Sequence, residues 1–257
     1  MGRQLRAVWL GRHRYAAVHT LQQELHAART AGEIGDTVLL LEHEPVITLG
    51  RGAHPRHVLA SETALHAVGI DLASIGRGGD VTLHAPGQLV AYPIIDLSPD
   101  RRDVRRYVRG LTEVMRRIAA DVGVAAGPAE GMVGLWVDTH HPERWDGPHA
   151  AEALAKVGAL GVRISRWVTM HGFALNVAND LDLYRYIVPC GIKEHPVTSL
   201  AQLLGTNPSL LRCADRARLH LAGVLDAQPG PLEDWSQTLP TTADLSASPP
   251  CGAGASP

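Results

Sequence analysis

The sequence is poor in several residues that commonly build a reactive site. Among 257 residues there is one Phe, aromatics make up 4%, and two lysines, Lys156 and Lys193, stand against 22 arginines. The apolar fraction is still 45%, so the core must come mostly from Leu, Val, Ile and Ala, and the length suits one large domain. Three cysteines, an odd number without clustered spacing, argue against a disulfide framework and read as reduced thiols. A net charge of −2 argues against nucleic acid or anionic lipid as the main partner. No stretch approaches the roughly 18 apolar residues of a membrane helix, and Met1 to His13 lacks the apolar centre of a signal peptide. The expectation is a soluble, cytoplasmic chain with no membrane or nucleic-acid partner.

The common cofactor signatures are missing as well. Gly76-Arg-Gly-Gly79 runs into Asp80-Val81 and does not complete G-x-G-x-x-G, and there is no G-x-x-x-x-G-K-[ST]. Fourteen histidines invite a metal reading, but H-E-x-x-H and paired-cysteine spacings do not occur. His140, His141 and His149 fall in a polar connector where exposed loop histidines are the simpler reading. No metal and no cofactor are assigned.

What is present reads as a mixture of helices and strands. Tyr15 to Ala31 carries Ala17, Leu21, Leu25 and Ala28 at helical spacing, with Gly32 as its stop. Thr37 to Leu41 and Val46 to Leu49 read as strands broken by Glu44-Pro45, and Ser61 caps a short helix to Val68. Arg77 to Val90, with two glycines, a short strand carrying His84, a Pro86-Gly87 turn and a strand onward to Leu97, reads as a hairpin-like edge. Asp103 opens a helix with an apolar stripe, Val104, Tyr107, Val108, Leu111, Met115, Ile118 and Val122, and a basic opposite face. Val133 to Val137, Ala155 to Ser165 and His171 to Val177 read as adjacent strands, so the expected class is α+β with a mixed or antiparallel sheet and flanking helices. Thr198 and Pro208 open two further helices. From Gln228 to Pro257 periodicity gives way to Pro, Ser, Thr and Ala, so the expected organisation is one catalytic domain, 1–227, and a disordered tail, 228–257.

Two side chains stand out chemically. Cys190 sits in Ile187-Val-Pro-Cys-Gly-Ile192, where a proline and a glycine bend the backbone and can present a thiol to a reactant. The same setting also suits a purely structural cysteine. Cys213 lies among Leu210, Leu211, Ala214 and Ala217 and reads as a small buried hydrophobe, while Cys251 lies in the tail. A thiolate needs a nearby cation or base, and a lysine can both stabilise it and later take a proton. Lys193 is close in sequence but in a loop; Lys156 opens the apolar stretch Val157 to Val162, where a charge needs a reason. Lys156 is the favoured partner.

Three blocks resemble the lipoyl(octanoyl) transferase family. They are Arg77 to Val90; Lys156-Val-Gly-Ala-Leu-Gly161 with Val168-Thr-Met-His-Gly-Phe-Ala-Leu-Asn-Val177; and Ile187 to Ile192 with Val197-Thr-Ser-Leu200. Leu41 to Gly50 is similar to the family's early signature. The resemblance implies a biotin/lipoate ligase-like catalytic fold. It also implies that Cys190 carries an acyl thioester and that Lys156 lowers its pKa. The implied acyl site is Arg77, Gly78, Gly79, Asp80, Val81, Thr82, Leu83 and His84, with Ala159, Leu160 and Gly161 and with Gly172, Phe173 and Ala174. The implied partners are octanoyl-acyl carrier protein as donor and, as acceptors, lipoyl domains of 2-oxoacid dehydrogenases and the glycine cleavage H protein, served by a monomer. The competing readings are an ATP-dependent lipoate or biotin ligase, which needs no cysteine, and a non-catalytic acyl-binding protein. Ala85 departs from the family pattern, which has glycine there; if that residue needs positive φ, alanine costs roughly 1 kcal/mol.

Overall fold

A computed structural model of the chain describes residues 2–147, 150–188 and 195–246. Its strands are β1 (Arg3–His13), β2 (Asp36–His43), β3 (Val46–Leu49), β4 (Asp71–Ser74), β5 (Val81–His84), β6 (Gln88–Ile94), β7 (Gly127–Ala129), β8 (Met132–Asp138), β9 (Leu154–Ser165), β10 (Val168–Asn176) and β11 (Ala227–Asp234). Its helices are α1 (Tyr15–Ala31), α2 (Glu62–Ala67), α3 (Val104–Asp121), α4 (Leu200–Leu204), α5 (Leu210–Val224) and α6 (Thr242–Ser246).

Eight strands form one mixed sheet in the order β11-β1-β2-β6-β10-β9-β8-β7, and β4-β3-β5 form a small second sheet. The class is α+β, with β1 parallel to both β11 and β2 and the remaining pairs of the large sheet antiparallel. Helices cover both faces. Val38 and Leu40 of β2 pack into the core under α3 and α5, while Leu39 and Leu41 pack into the core under α1. A strand buried on both sides has no polar face to alternate with, which is why Thr37 to Leu41 reads as an unbroken apolar run. A third core, with Ile47, Leu65, Val81 and Leu83, ties the small sheet to α2 and to the 3₁₀ turn Leu181–Tyr186.

The helix ends behave as their residues dictate. Gly32 closes α1 at φ 78°, and the Ser61, Asp103 and Ser209 side chains accept bonds from Ala64, Arg106 and Arg212 backbone N–H groups. Ser199, one residue after Thr198, caps α4. The buried stripe of α3 is Tyr107, Leu111, Val114, Met115, Ile118 and Ala119, whereas Val104 is exposed.

Two expectations are corrected. The segment after Ala227 is not a tail from Gln228: β11 pairs in parallel with β1, and Leu245 of α6 is buried against the α1 core. Its Pro and Gly content hid the strand because β11 is an edge strand, where a missing N–H costs little. Residues 247–257 lie outside the described residues. Second, Arg77 to Val90 is not a hairpin: β5 pairs with β3 in the small sheet and β6 with β2 and β10 in the large one, so the Pro86-Gly87 turn carries the chain between sheets. Gly87, at φ 84°, takes the left-handed position there, and Ala85 has no positive φ, so the alanine brings no such strain. The connector after Asp138 is anchored in its described part: the Asp138 carboxylate accepts the N–H groups of His140, Glu152 and Ala153, and Trp145 is buried.

Candidate active site

The site is organised on the β9–β10 ribbon. Register pairs Ala159 with Ala174, Gly161 with Gly172 and Val162 with His171, and the small sheet lies over this face through β5. Between them is a pocket lined by Tyr15, Ile75, Arg77, Thr82, His84, Tyr92, Ala159, Leu160, Gly161, His171, Gly172, Phe173 and Ala174. Thr82 and Ala159 also line a smaller recess that contains Lys156, Asn176 and Tyr184. The two spaces adjoin at Thr82 and Ala159.

Lys156 is 6% exposed, and three features hold it. Its backbone is pinned by Pro196 and Thr198: its N–H donates to Pro196 at 2.9 Å and its carbonyl accepts from Thr198 at 2.9 Å. The register of β8 and β9 shifts between Leu135 and Trp136, and such irregularities re-aim side chains. Nζ lies 5.4 Å from the centre of the Trp136 ring, a cation–π contact. Gly134, at φ 134°, faces this side chain; a Cβ there would sit 2.6 Å from Lys156 Cε.

Cys190 and Lys193 lie outside the described residues, but the chain on either side of them is placed. Val188 N–H donates to the His57 carbonyl at 2.8 Å, and Ile187 bridges Val58. Downstream, the His195 ring meets Trp136 edge-on, and Val197 bridges Lys156. Cys213 is buried in the α5 core, and burial pushes its thiol up to about 11, which suits an inert packing role.

A polar network fixes the lysine end. His84 Nδ1 lies 2.8 Å from Gln88 Oε1, and the Gln88 amide donates to Asn176 Oδ1 at 2.9 Å. The Asn176 amide donates to the Thr198 carbonyl, and Tyr184 OH donates to Asn176 Oδ1. Because Gln88 Oε1 can only accept, His84 carries its proton on Nδ1. The same logic gives His43 its proton on Nδ1, facing the His13 carbonyl at 3.0 Å, so Nε2 accepts from Tyr92 OH at 2.9 Å. Burial is the main cause that lowers all three central histidines, His84 and His171 to about 3 and His43 to about 4. These rings are therefore neutral at pH 7.

Arg77 is the buried cation of the pocket. Nη2 donates to the Thr48 carbonyl at 2.7 Å and to Thr48 Oγ1 at 3.0 Å, and Nη1 donates to the Gly78 carbonyl. The glycines around it serve close approach more than ligand room. A Cβ on Gly161 would press on Arg77 Cδ, and one on Gly172 would collide with the Ala91 carbonyl of β6.

Most of the residues expected at the acyl site converge here. Arg77, Thr82, His84, Ala159 to Gly161 and Gly172 to Ala174 line the pocket. Val81 and Leu83 do not: strand alternation turns them into the third core. Gly78, Gly79 and Asp80 line an adjoining groove with Val108, Met132 and Val133, and Asp80 pairs with His57 at 2.5 Å. Tyr15, Ile75, Tyr92 and His171 complete the pocket; of these, the sequence places only His171 beside it, flanking it with His84. Among the described residues no group of His, Cys, Asp and Glu is arranged to hold a metal ion.

Solved structures with the same fold include the bipartite lipoate protein ligase of Thermoplasma acidophilum, with TM-score 0.64 and 13% identity over 90% of this chain and 88% of that one. Lipoate-protein ligase A bound with ATP aligns with TM-score 0.64 and 14% identity over 91% and 89%. The architecture is that of the lipoate ligase catalytic scaffold. The model of the lipoyl protein ligase A/B catalytic domain matches residues 14–222. An octanoyltransferase of Chloroflexus aurantiacus is 46% identical over 228 residues, 88% of this chain and 96% of that one, and an octanoyltransferase of Solibacter usitatus is 45% identical over 84% and 91%. The chain belongs to the lipoyl protein ligase A/B catalytic domain family, and within that family it stands with the acyl-transferring octanoyltransferases.

Proposed function

We propose that this chain moves an octanoyl group from octanoyl-acyl carrier protein onto a lysine of lipoyl domains, including those of 2-oxoacid dehydrogenases and the glycine cleavage H protein, through a thioester on Cys190. The observation that carries the reading is a nearly buried lysine in a recess beside the pocket, with Thr82 and Ala159 lining both, in a chain 46% identical to an octanoyltransferase. In the first step the Cys190 sulfur attacks the donor thioester carbonyl, a new S–C bond forms, and the carrier thiol leaves with a proton. In the second step the acceptor amine attacks the acyl-enzyme, an amide forms, and Cys190 leaves as a thiolate. The Lys156 ammonium favours the Cys190 thiolate before the first step and gives its proton to the leaving carrier thiolate; as the neutral amine it then takes the proton that the acceptor must lose, which restores the ammonium beside the thiolate. Thioester exchange is nearly neutral and amide formation is downhill, so the route needs no nucleotide.

Incubation with octanoyl carrier protein followed by intact-mass measurement tests the route. The wild type is expected to gain one octanoyl group that neutral hydroxylamine removes; Cys190→Ala is expected to gain none, and Lys156→Met to acylate about 10²- to 10⁴-fold more slowly. ATP-dependent use of free octanoate by Cys190→Ala would overturn the thioester route and favour a ligase.

A further inference from the structure

Trp136 is fully buried on β8 and stands directly opposite Lys156 of β9. Residues opposite each other across an antiparallel pair share a face and lie close, so the strand register itself brings ring and lysine together. Gly134, two residues back on β8, faces the same side chain. A Cβ there would stand 2.6 Å from Lys156 Cε and 3.3 Å from Nζ, so the lysine stem passes over position 134 while its head lies 5.4 Å from the centre of the indole ring. One neighbour makes room and the other supplies a π face.

Burial disfavours the charged form of a lysine, whereas the transfer needs an ammonium here to hold a thiolate. An indole face is electron-rich and attracts a cation, more strongly when the pair is out of water. Lys156 is 6% exposed and Trp136 0%, so this contact is of the desolvated, stronger kind. Among the described residues, the other charged or titratable side chains around the lysine are Tyr184 across the recess, His195 edge-on to the Trp136 ring, and Asp138 two residues further along β8. The Asp138 carboxylate accepts three backbone N–H groups of the connector, and Tyr184 OH donates to Asn176 Oδ1. His84, behind Gln88 in the polar network, is neutral at pH 7.

We propose that Trp136 is a positioning residue for the transfer: its ring fixes the buried Lys156 side chain in place and keeps it charged until the acyl donor arrives. The proposal rests on the acyl-transfer reading for the use made of the ammonium, and on the strand register for the contact itself. Trp136 acts through Lys156 and not on the acyl group.

The scarcity of lysine makes the test direct. With lysine isotope-labelled at Cε, NMR shows two signals, from Lys156 and Lys193, and Lys193→Arg leaves one. The Hε signal of wild-type Lys156 is expected upfield of that of Lys193, because protons over an indole face are shielded by its ring current. The Lys156 Cε signal is expected to titrate about one pH unit higher in wild type than in Trp136→Leu, with Trp136→Phe between them. Amide fingerprint spectra identify the folded variants; if Trp136→Leu does not fold, the Trp136→Phe midpoint decides. A wild-type Lys156 Hε signal at the position of Lys193, or a midpoint that does not fall in a folded variant, overturns the proposal. The acylation rate against pH is the second readout. In Trp136→Phe its high-pH limb is expected to move down together with the NMR midpoint, whereas a rate lowered evenly at every pH would mean lost packing only and would overturn the proposal. If wild type never gains an acyl group while the lysine signals behave as expected, the transfer reading fails and the hold of Trp136 on Lys156 stands.

Discussion

The two ends of the β9–β10 ribbon are built differently. Around Lys156 the polar groups of His84, Gln88, Asn176, Tyr184 and Thr198 are joined by hydrogen bonds, while the Trp136 Nε1 beside the lysine is buried without a partner, and hydrogen-bonded networks rigidify what they surround. Around His171, three residue steps beyond Ala159, His171 Nε2 and Gln22 Nε2 are buried without partners. The first end must hold a reacting group to a narrow tolerance, because misplacement by about 1 Å can cost about 10²-fold in rate. The second end packs the His171 ring against His19 and Tyr92, with its N–H on Gln22. Connectivity is thus concentrated at the end that carries Lys156.

The largest effect that sharpens this contrast is expected at Gly134→Ala. The new methyl would meet Lys156 Cε and the Gly158 carbonyl, each at 2.6 Å, at a φ of 134°, so both side chain and backbone must give way. Acylation by octanoyl carrier protein is expected to fall about 10²-fold, while the His171 end is untouched. An unchanged rate would show that the lysine end has no narrow tolerance.

The second effect is on stability against pH. His43, His84 and His171 have folded values of about 4, 3 and 3, below the ordinary 6.5, chiefly through burial. A depressed histidine resists protonation in the fold and not in the unfolded chain, so its contribution is fully present above pH 6.5 and is lost as pH falls towards the folded values. Each ring is expected to remove up to about 1.4 kcal/mol per pH unit in that window. Urea unfolding between pH 7.5 and 5 checks this: the midpoint should fall with acid, and a flat midpoint would mean that these rings take up protons without unfolding.

How much of this was legible in the sequence depended on whether a residue's role is local. The caps at Ser61, Asp103 and Ser209, the stop at Gly32 and the strand Thr37 to Leu41 follow from neighbours within a few positions. The early, middle and late blocks also revealed their shared identity, because several motifs in one order are specific. The surroundings of His171 were not legible. Tyr15 opens α1, Gln22 sits on its buried face, Tyr92 is on β6 and His171 on β10, and only the strand register brings them together. One local signal existed: Gln22 is a polar residue one position from Leu21 on a helix face otherwise apolar, where a buried amide needs a partner. Likewise Val81 and Leu83 could be turned away from the pocket only once β5 was known to pair with β3 and not with β6.

The smallest expected effect is at Gln22 itself. Its Oε1 accepts the His171 N–H, while its Nε2 is buried and unpartnered. Gln22→Met keeps the length and buried character of the side chain but deletes both groups. Losing the acceptor orphans a buried backbone N–H and costs; losing the unpaired amide N–H₂ group removes an existing penalty. The two terms have the same size and opposite sign, so the net loss is expected to be about 1 kcal/mol or less. Denaturant unfolding should therefore barely move. A large stability loss would mean that Gln22 braces α1 against the sheet.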